Sequence, residues 1–301
     1  MLDTIQEQWT KFGRIGFNKP VLDRAVFKEM EEYIRGRADD LGYEPKFNVG
    51  VQVGGVPPRR DREPIVNTEI TGIAYHDVLG GLLISVRNSE INCRIIDRVM
   101  HENVKETDLT TKVISKLGDK YQLRKEEQQE RDLPDYALFL TGSNSFHTMD
   151  WDKIEEICVD YPNAMIKPHP VTTEASEFKL HDSFPNRVYR STEAAYDILI
   201  NAKQVWTTYN SELGLMAALN KIPFGTISKW NSVGKATYAQ VYRQFEYKNI
   251  EHNYHVVRKV IESKNSGLVF PWQHDWKERV DAFYECHVNH YKKGMKYPYR
   301  S

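Results

Sequence analysis

Three short stretches carry side chains suited to handling a phosphate or a proton. The first is Met165–Pro170, MIKPHP, where Pro168 and Pro170 hold the backbone extended on both sides of His169. A rigid turn fixes where an imidazole points, so His169 could donate to a phosphate oxygen or a leaving group, with Lys167 adding charge. The second is TTYNSE at 207–212, where a strand-like run ends in Asn210-Ser211 and a helical pattern starts at once. A helix N-terminus offers unpaired N–H groups and partial positive charge, so this turn suits a phosphate. Glu212 in the first turn could accept from ribose hydroxyls, and Gly214 permits close approach. The third is TGSNSFH at 141–147, whose Gly142, Ser143, Asn144 and Ser145 could line a ligand pocket. Each stretch also has a plainer reading: a core histidine bonded to a carbonyl, a serine N-cap with an acid answering the helix dipole, and ordinary turn residues.

The elements around these stretches decide whether they can meet. Short apolar runs at 136–142, 163–170, 187–191, 204–210 and 223–228 read as strands. Helical patterns fall between them at 149–162, 191–202 and 211–222, with Asp150 placed to N-cap the first and Pro162 just past its end. Strand and helix in alternation predict a parallel sheet with helices on both faces. Ligands of such sheets bind beyond the carboxyl ends of the strands, where all three polar loops fall. The second half of the chain is thus expected to be Rossmann-like.

The first half is less regular. Residues 21–41 predict an amphipathic helix through Val26, Met30, Ile34 and Leu41, and 46–53 a strand. Residues 54–64 form a loop by composition, carrying Arg59, Arg60 and Arg62. Residues 72–89 mix helix or strand with a Gly-Gly break at 80–81, and 90–100 read as helix. The charged stretch 118–134 reads as a helix end and linker, which places a domain boundary near 130 and gives domains at 1–130 and 131–301. The last sixty residues read as mostly helical, broken at 267–271.

Composition narrows the function classes. The chain has 301 residues and a net charge of −1, so no global field draws it to nucleic acid or a membrane, although a local basic groove is compatible. No apolar run is long enough to span a bilayer, and residues 1–10 read as neither signal nor transit peptide. Cys93, Cys158 and Cys286 match no zinc spacing and no disulfide framework, and Cys286, His287 and His290 lack a second ligand cluster. The expected setting is the cytoplasm. No G-x-G-x-x-G supports a nicotinamide or flavin cofactor, and no G-x-x-x-x-G-K-[ST] supports a P-loop.

IKPHP, followed about forty residues later by TTYNSELGLMAALNKIPFGTI, resembles the C-terminal half of GT-B type glycosyltransferases. The resemblance is to the capsular-polysaccharide and Kdo-transferase-like branch, with sialyltransferase and glycerophosphotransferase relatives. GKATY at 234–238 is similar to a Gly-x-Ala-x-Tyr that often follows, and the match spans roughly residues 135–245. Glu212 departs from the family pattern, which has a small or hydroxylic residue there. The resemblance implies two Rossmann-like domains with parallel sheets, the N-terminal one reduced. It implies a UDP- or CMP-linked sugar as co-substrate, with no other cofactor. His169 and the Asn210-Ser211 turn would contact the donor phosphate, and Glu212 the ribose or sugar.

The implied reaction is sugar transfer to an acceptor hydroxyl, which needs a base and charge stabilisation at the leaving phosphate. In enzymes of this kind the base usually comes from the N-terminal half, where AYHDVLGG at 74–81 offers His76 or Asp77. Both could instead cap a helix. GT-B folds stabilise the leaving group with side chains and helix dipoles, and the chain has no D-x-D triplet, so no metal is expected. For the acceptor the reading leans to a hydroxymethylated pyrimidine in DNA, as modified by bacteriophage enzymes. Arg59, Arg60, Arg62 and the tail KKGMKYPYR at 292–300 would be phosphate contacts. The alternatives are a bacterial capsular or surface saccharide as acceptor, a sugar-nucleotide epimerase or glycerophosphotransferase of the same fold, and a non-catalytic module binding nucleic acid or saccharide.

Overall fold

The computed structural model describes residues 24–40, 73–86, 89–121, 133–170, 172–191, 193–209, 211–229 and 240–288. In chain order the elements are α1 (Arg24–Asp40), β1 (Ile73–Val78), β2 (Gly81–Val86), α2 (Ser89–His101), α3 (Leu109–Tyr121) and β3 (Tyr136–Phe139). Then come α4 (Trp151–Asp160), β4 (Met165–Lys167), α5 (Glu174–Ser183), α6 (Ala195–Asn201), β5 (Gln204–Thr207) and α7 (Leu213–Leu219). The last are β6 (Phe224–Thr226), α8 (Ile250–Glu262), β7 (Leu268–Val269) and α9 (Trp276–Phe283), which runs on into a π-turn at Tyr284–Val288. No helix among the described residues is long and apolar enough to cross a membrane. The chain divides into two compact units that are interleaved in sequence. One is drawn from Thr111–Val233 and Phe245–Val257, the other from Leu22–Thr110, Gly234–Gln244 and Arg258–Ser301.

The first unit holds a four-stranded sheet of order β4-β3-β5-β6, parallel throughout. Leu138 sits in register between Ile166 and Trp206. Ala137, Leu138, Phe139, Ile166 and Val205 are no more than 1% exposed, so both faces of the strands are covered. Trp206 joins Leu138, Met149, Ile154 and Ile166 in one apolar cluster on the α4 side. From β3 the chain moves out to β4, then returns past β3 to lay down β5 and β6. That reversal puts the topological switch point between β3 and β5.

The elements of this unit follow the sequence closely, with three differences. The expected strand at 187–191 is a single bridge, Val188 to Ile166, closed by Ile166 N–H to Arg187 O (2.7 Å) and Tyr189 N–H to Ile166 O (2.8 Å). The next residue on that edge of β4 is Pro168, which has no N–H, so the ladder stops there. The helix expected from 191 begins at Ala195, with Ala194 as a cap that makes no side-chain bond, and Ser191 is engaged instead with Lys167 and Glu177. Helix α5 was not anticipated: it buries only Leu180, so its hydrophobic period is nearly absent. Its signal is the N-cap, Thr173 accepting from Ser176 N–H, with Glu174 and Glu177 in the first turn.

The second unit differs more. Where a reduced second parallel sheet was expected, its described strands form an antiparallel sheet of order β1-β2-β7. Val78 pairs with Gly81, so the turn between β1 and β2 has only Leu79 and Gly80, with φ of 55° and 75°. Positive φ at both positions is the tight hairpin turn whose twist matches the strands. The Gly-Gly break is therefore a turn residue plus the first residue of β2. A Cβ on Gly81 would lie 2.4 Å from Val269 O, so the approach of β7 excludes any side chain there. Met30 and Ile34 of α1 are buried as their spacing predicts, against Ile84, Trp276 and Phe283. The expected strand at 46–53 and loop at 54–64 lie outside the described residues.

Gly225 in β6 gives a test of the parallel sheet. A Cβ there would sit 2.7 Å from Trp206 Cδ1 and 3.0 Å from its Nε1. Trp206 is packed in the cluster and has no free end to swing. Gly225→Ala is expected to lower unfolding free energy by about 1–3 kcal/mol in urea titrations, as overpacking does. An unchanged midpoint would mean that the indole has room to move.

Candidate functional site

The carboxyl ends of β3, β4 and β5 feed three loops onto one edge of the first unit, and hydrogen bonds tie those loops together. Ser143 Oγ, after β3, accepts Thr173 N–H, after β4 (3.2 Å). Ser228 Oγ, just past β6, accepts Tyr209 N–H, after β5 (3.1 Å). The loop after β3 travels further. Ile227 donates its N–H to Thr207 O (2.9 Å) and accepts at its carbonyl from Asp150 N–H (2.9 Å). In extended chain both groups of one residue face the same edge, so Met149, bridged to Ser228, takes the place beside β6 that β5 leaves. The 3-10 turn Ser143–Thr148 therefore crosses the end of β5.

The Lys167-Pro168-His169-Pro170 turn is held on both sides. Lys167 is 2% exposed, and its Nζ donates to Pro168 O (2.6 Å) and Ser191 O (2.8 Å). Ser191 N–H donates in turn to Glu177 Oε1 of α5 (2.9 Å). On the far side, His169 O accepts Thr172 N–H (2.9 Å). Leu140 N–H donates to Lys167 O (3.0 Å), which fastens the turn to the end of β3. Burial pushes the Lys167 ammonium down to about 7, against the opposing pull of Glu177 and Glu193.

His169, unlike Lys167, is exposed. Desolvation by the surrounding protein, with Lys167 beside it, pushes the imidazole down to about 4. Water reaching the open face of the residue offsets part of that penalty. Either way the ring is neutral at pH 7, so it offers one N–H donor and one acceptor rather than a charge. A neutral ring of this kind suits a directed hydrogen bond.

The other predicted residues divide into those brought to this edge and those not. Gly142 is buried at the start of the 3-10 turn, and its carbonyl accepts Ser145 N–H (2.8 Å). Asn144 lies within that turn. Ser211 follows β5, and its Oγ accepts Leu213 N–H (3.2 Å), so the plainer capping role is filled. Glu212 opens α7 without a side-chain capping bond, and its carbonyl accepts Met216 N–H (3.0 Å). His76 and Asp77 are in β1 of the second unit, in register with Leu83 and Leu82. Asn210, Arg59, Arg60, Arg62 and the 234–238 stretch lie outside the described residues. His287 is 0% exposed and its Nε2 donates to Asn265 O (2.8 Å), a satisfied core histidine. Among the described residues no group of His, Cys, Asp or Glu is placed to hold a metal ion.

Several residues of this edge were not picked out from sequence. Ser228, Thr173, Glu177 and Ser191 position the loops through backbone groups, which leaves no signature in residue spacing. The hydroxyls of Thr172, Thr207 and Thr208 are buried with no hydrogen-bond partner among the described residues. Buried polar groups are normally paired, so this edge carries more hydrogen-bonding capacity than the fold itself uses. A shallow groove of about 330 Å³ along α1 belongs to the second unit, and its lining of Glu29, Glu32, Tyr33, Arg37 and Asp40 is too acidic for a phosphate. No known family model matches the chain, and no curated protein matches it closely enough to signal kinship.

The depressed Lys167 ammonium links stability to pH. Its folded value of about 7 lies below the ordinary 10.5, so between those values the folded protein binds fewer protons than the unfolded chain. Stability from this group therefore rises with pH from about 7 to 10.5 and is flat below. Wild type should gain on Lys167→Met between pH 7 and pH 10 in urea unfolding. Parallel pH profiles would show that the ammonium is not desolvated.

Proposed function

We propose that this chain transfers a sugar from a UDP- or CMP-linked donor to an acceptor hydroxyl. The observation that carries this reading is the convergence of the loops after β3, β4 and β5 on one sheet edge, with a neutral, exposed His169 held among them. The switch point of a parallel sheet is where such folds take nucleotides. In the transfer the acceptor oxygen bonds to the anomeric carbon as the bond from that carbon to the phosphate oxygen breaks. His169 donates a hydrogen bond to the departing phosphate, with the turn at Asn210-Ser211 supplying further donors. Lowering the charge on the leaving group is the largest contribution such a site can make. The acceptor proton goes to a base, for which His76 and Asp77 are the sequence candidates. The acceptor we infer is a hydroxymethylated pyrimidine in DNA, from the Arg59, Arg60 and Arg62 cluster and the basic tail.

A thermal-shift panel of UDP, CMP and CDP compounds tests the donor half. A nucleotide that binds the folded chain raises its melting temperature, and no shift with any of them would remove the donor site. Wild type is then given the stabilising nucleotide sugar with either a duplex containing hydroxymethylated cytosine or a surface oligosaccharide. Label on the duplex supports the DNA acceptor, and label on the oligosaccharide overturns it. Released glycerol phosphate or an epimerised sugar nucleotide would point to the other reactions of this fold. His169→Ala should cut transfer by about 100-fold or more, the scale of a lost proton-handling group. Full activity in that variant would remove His169 from the site.

A further inference from the structure

The buried lysine beneath the His169 turn has no ligand-facing role to explain it, yet its ammonium is taken almost wholly out of water. Taking an ammonium out of water is unfavourable before any interaction offsets it, so an apolar side chain would fill this place at lower cost. What an apolar side chain cannot do is bind carbonyls. Lys167 Nζ holds two of them, Pro168 O at 2.6 Å in its own turn and Ser191 O at 2.8 Å, 24 residues further along the chain than the lysine. Pro168 is the peptide unit that leads into His169. Ser191 belongs to the segment that returns from the Val188 bridge and is gripped again through its N–H by Glu177. The titratable groups around the ammonium are Glu177 from α5, Glu193 from the segment before α6, and His169 from its own turn.

We propose that Lys167 is a positioning residue: it aims His169 by clamping the Pro168 and Ser191 carbonyls together beneath the turn, and does not itself touch the donor. This rests on the reading of His169 as a donor-phosphate contact, but the clamp can be tested without any nucleotide. Lys167→Met removes both clamping bonds while keeping the stem volume. Glu177→Ala releases the Ser191 N–H and, although it takes away a carboxylate that holds the ammonium up, leaves Lys167 charged at the acid pH where His169 titrates.

The experiment follows the His169 ring by NMR across pH in wild type, Lys167→Met, Lys167→Arg and Glu177→Ala, alongside UDP and CMP binding by calorimetry. With the clamp gone, the His169 titration should move up toward the ordinary histidine value. Loss of the neighbouring charge and readier water access both act in that direction. The Glu177→Ala variant should shift the His169 ring signals in the same direction as Lys167→Met, although the Lys167 charge remains. Nucleotide binding should weaken by about tenfold in Lys167→Met, the scale of one charge-assisted hydrogen bond, and less in Lys167→Arg, which keeps two donors. A folded Lys167→Met with unchanged His169 signals and unchanged affinity overturns the clamp. If Lys167→Met does not fold, Glu177→Ala decides by the same signals. If wild type binds no nucleotide, the ring titration still decides the clamp, and only the function reading falls.

Discussion

In a parallel sheet every strand points the same way, so every loop that leaves a carboxyl end must start from one edge. That constraint organises the first unit. Residues far apart in the chain, Gly142-Ser143, His169 and Ser211, share an edge because β3, β4 and β5 are parallel and adjacent in the order β4-β3-β5-β6. The same constraint obliges the sheet to be covered on both faces, which is why its strands read as continuous apolar runs. Helices α4 to α7 are the covers, and their short connections leave the strand-end loops little freedom. Where a loop is longer, as after β3, it is pinned at both ends, by Thr173 near its start and by Ile227 and Lys229 at its finish.

The edge is not uniform. The end of β5 is crossed by the Ser143–Thr148 turn, with Met149 fully buried in the place beside β6. The end of β4 carries the exposed His169 instead. A ligand arriving at this edge therefore meets the imidazole on the β4 side, while the β5 side is partly filled by the protein's own chain. Beside the imidazole in sequence, the Lys167 ammonium donates to two backbone carbonyls. The two charged-capable groups of one short motif thus have opposite fates: Lys167 is desolvated and inward, His169 neutral and outward.

The alternation of strand and helix from 136 to 228 was legible because parallel strands must be apolar on both faces and their helices amphipathic. The position of the three polar loops followed from that topology. Legibility failed where structure is carried by backbone groups. The Val188 bridge read as a strand because Val188 and Tyr189 are both strand-favouring residues, and Pro168 cut it short by lacking one N–H. Helix α5 has a capping signal without a hydrophobic stripe, so periodicity could not find it. Lys167 read as charge for a ligand phosphate, since nothing in its neighbours announces that two carbonyls wait for its ammonium. The hairpin at Leu79-Gly80 hid because leucine is a poor choice for positive φ, and the paired glycines suggested a break rather than a turn.

A neutral donor on a rigid turn is what a leaving phosphate needs when charge builds on it late, since a fixed dipole requires no reorganisation at that moment. The central claim is that His169 meets a nucleotide phosphate at the carboxyl edge of the parallel sheet. The most direct measurement is the movement of the His169 ring resonances when UDP or CMP is added to the wild-type protein at neutral pH. The account predicts a saturable shift of those signals, with the ring staying neutral. Ring signals that stay fixed while the nucleotide binds elsewhere would contradict it.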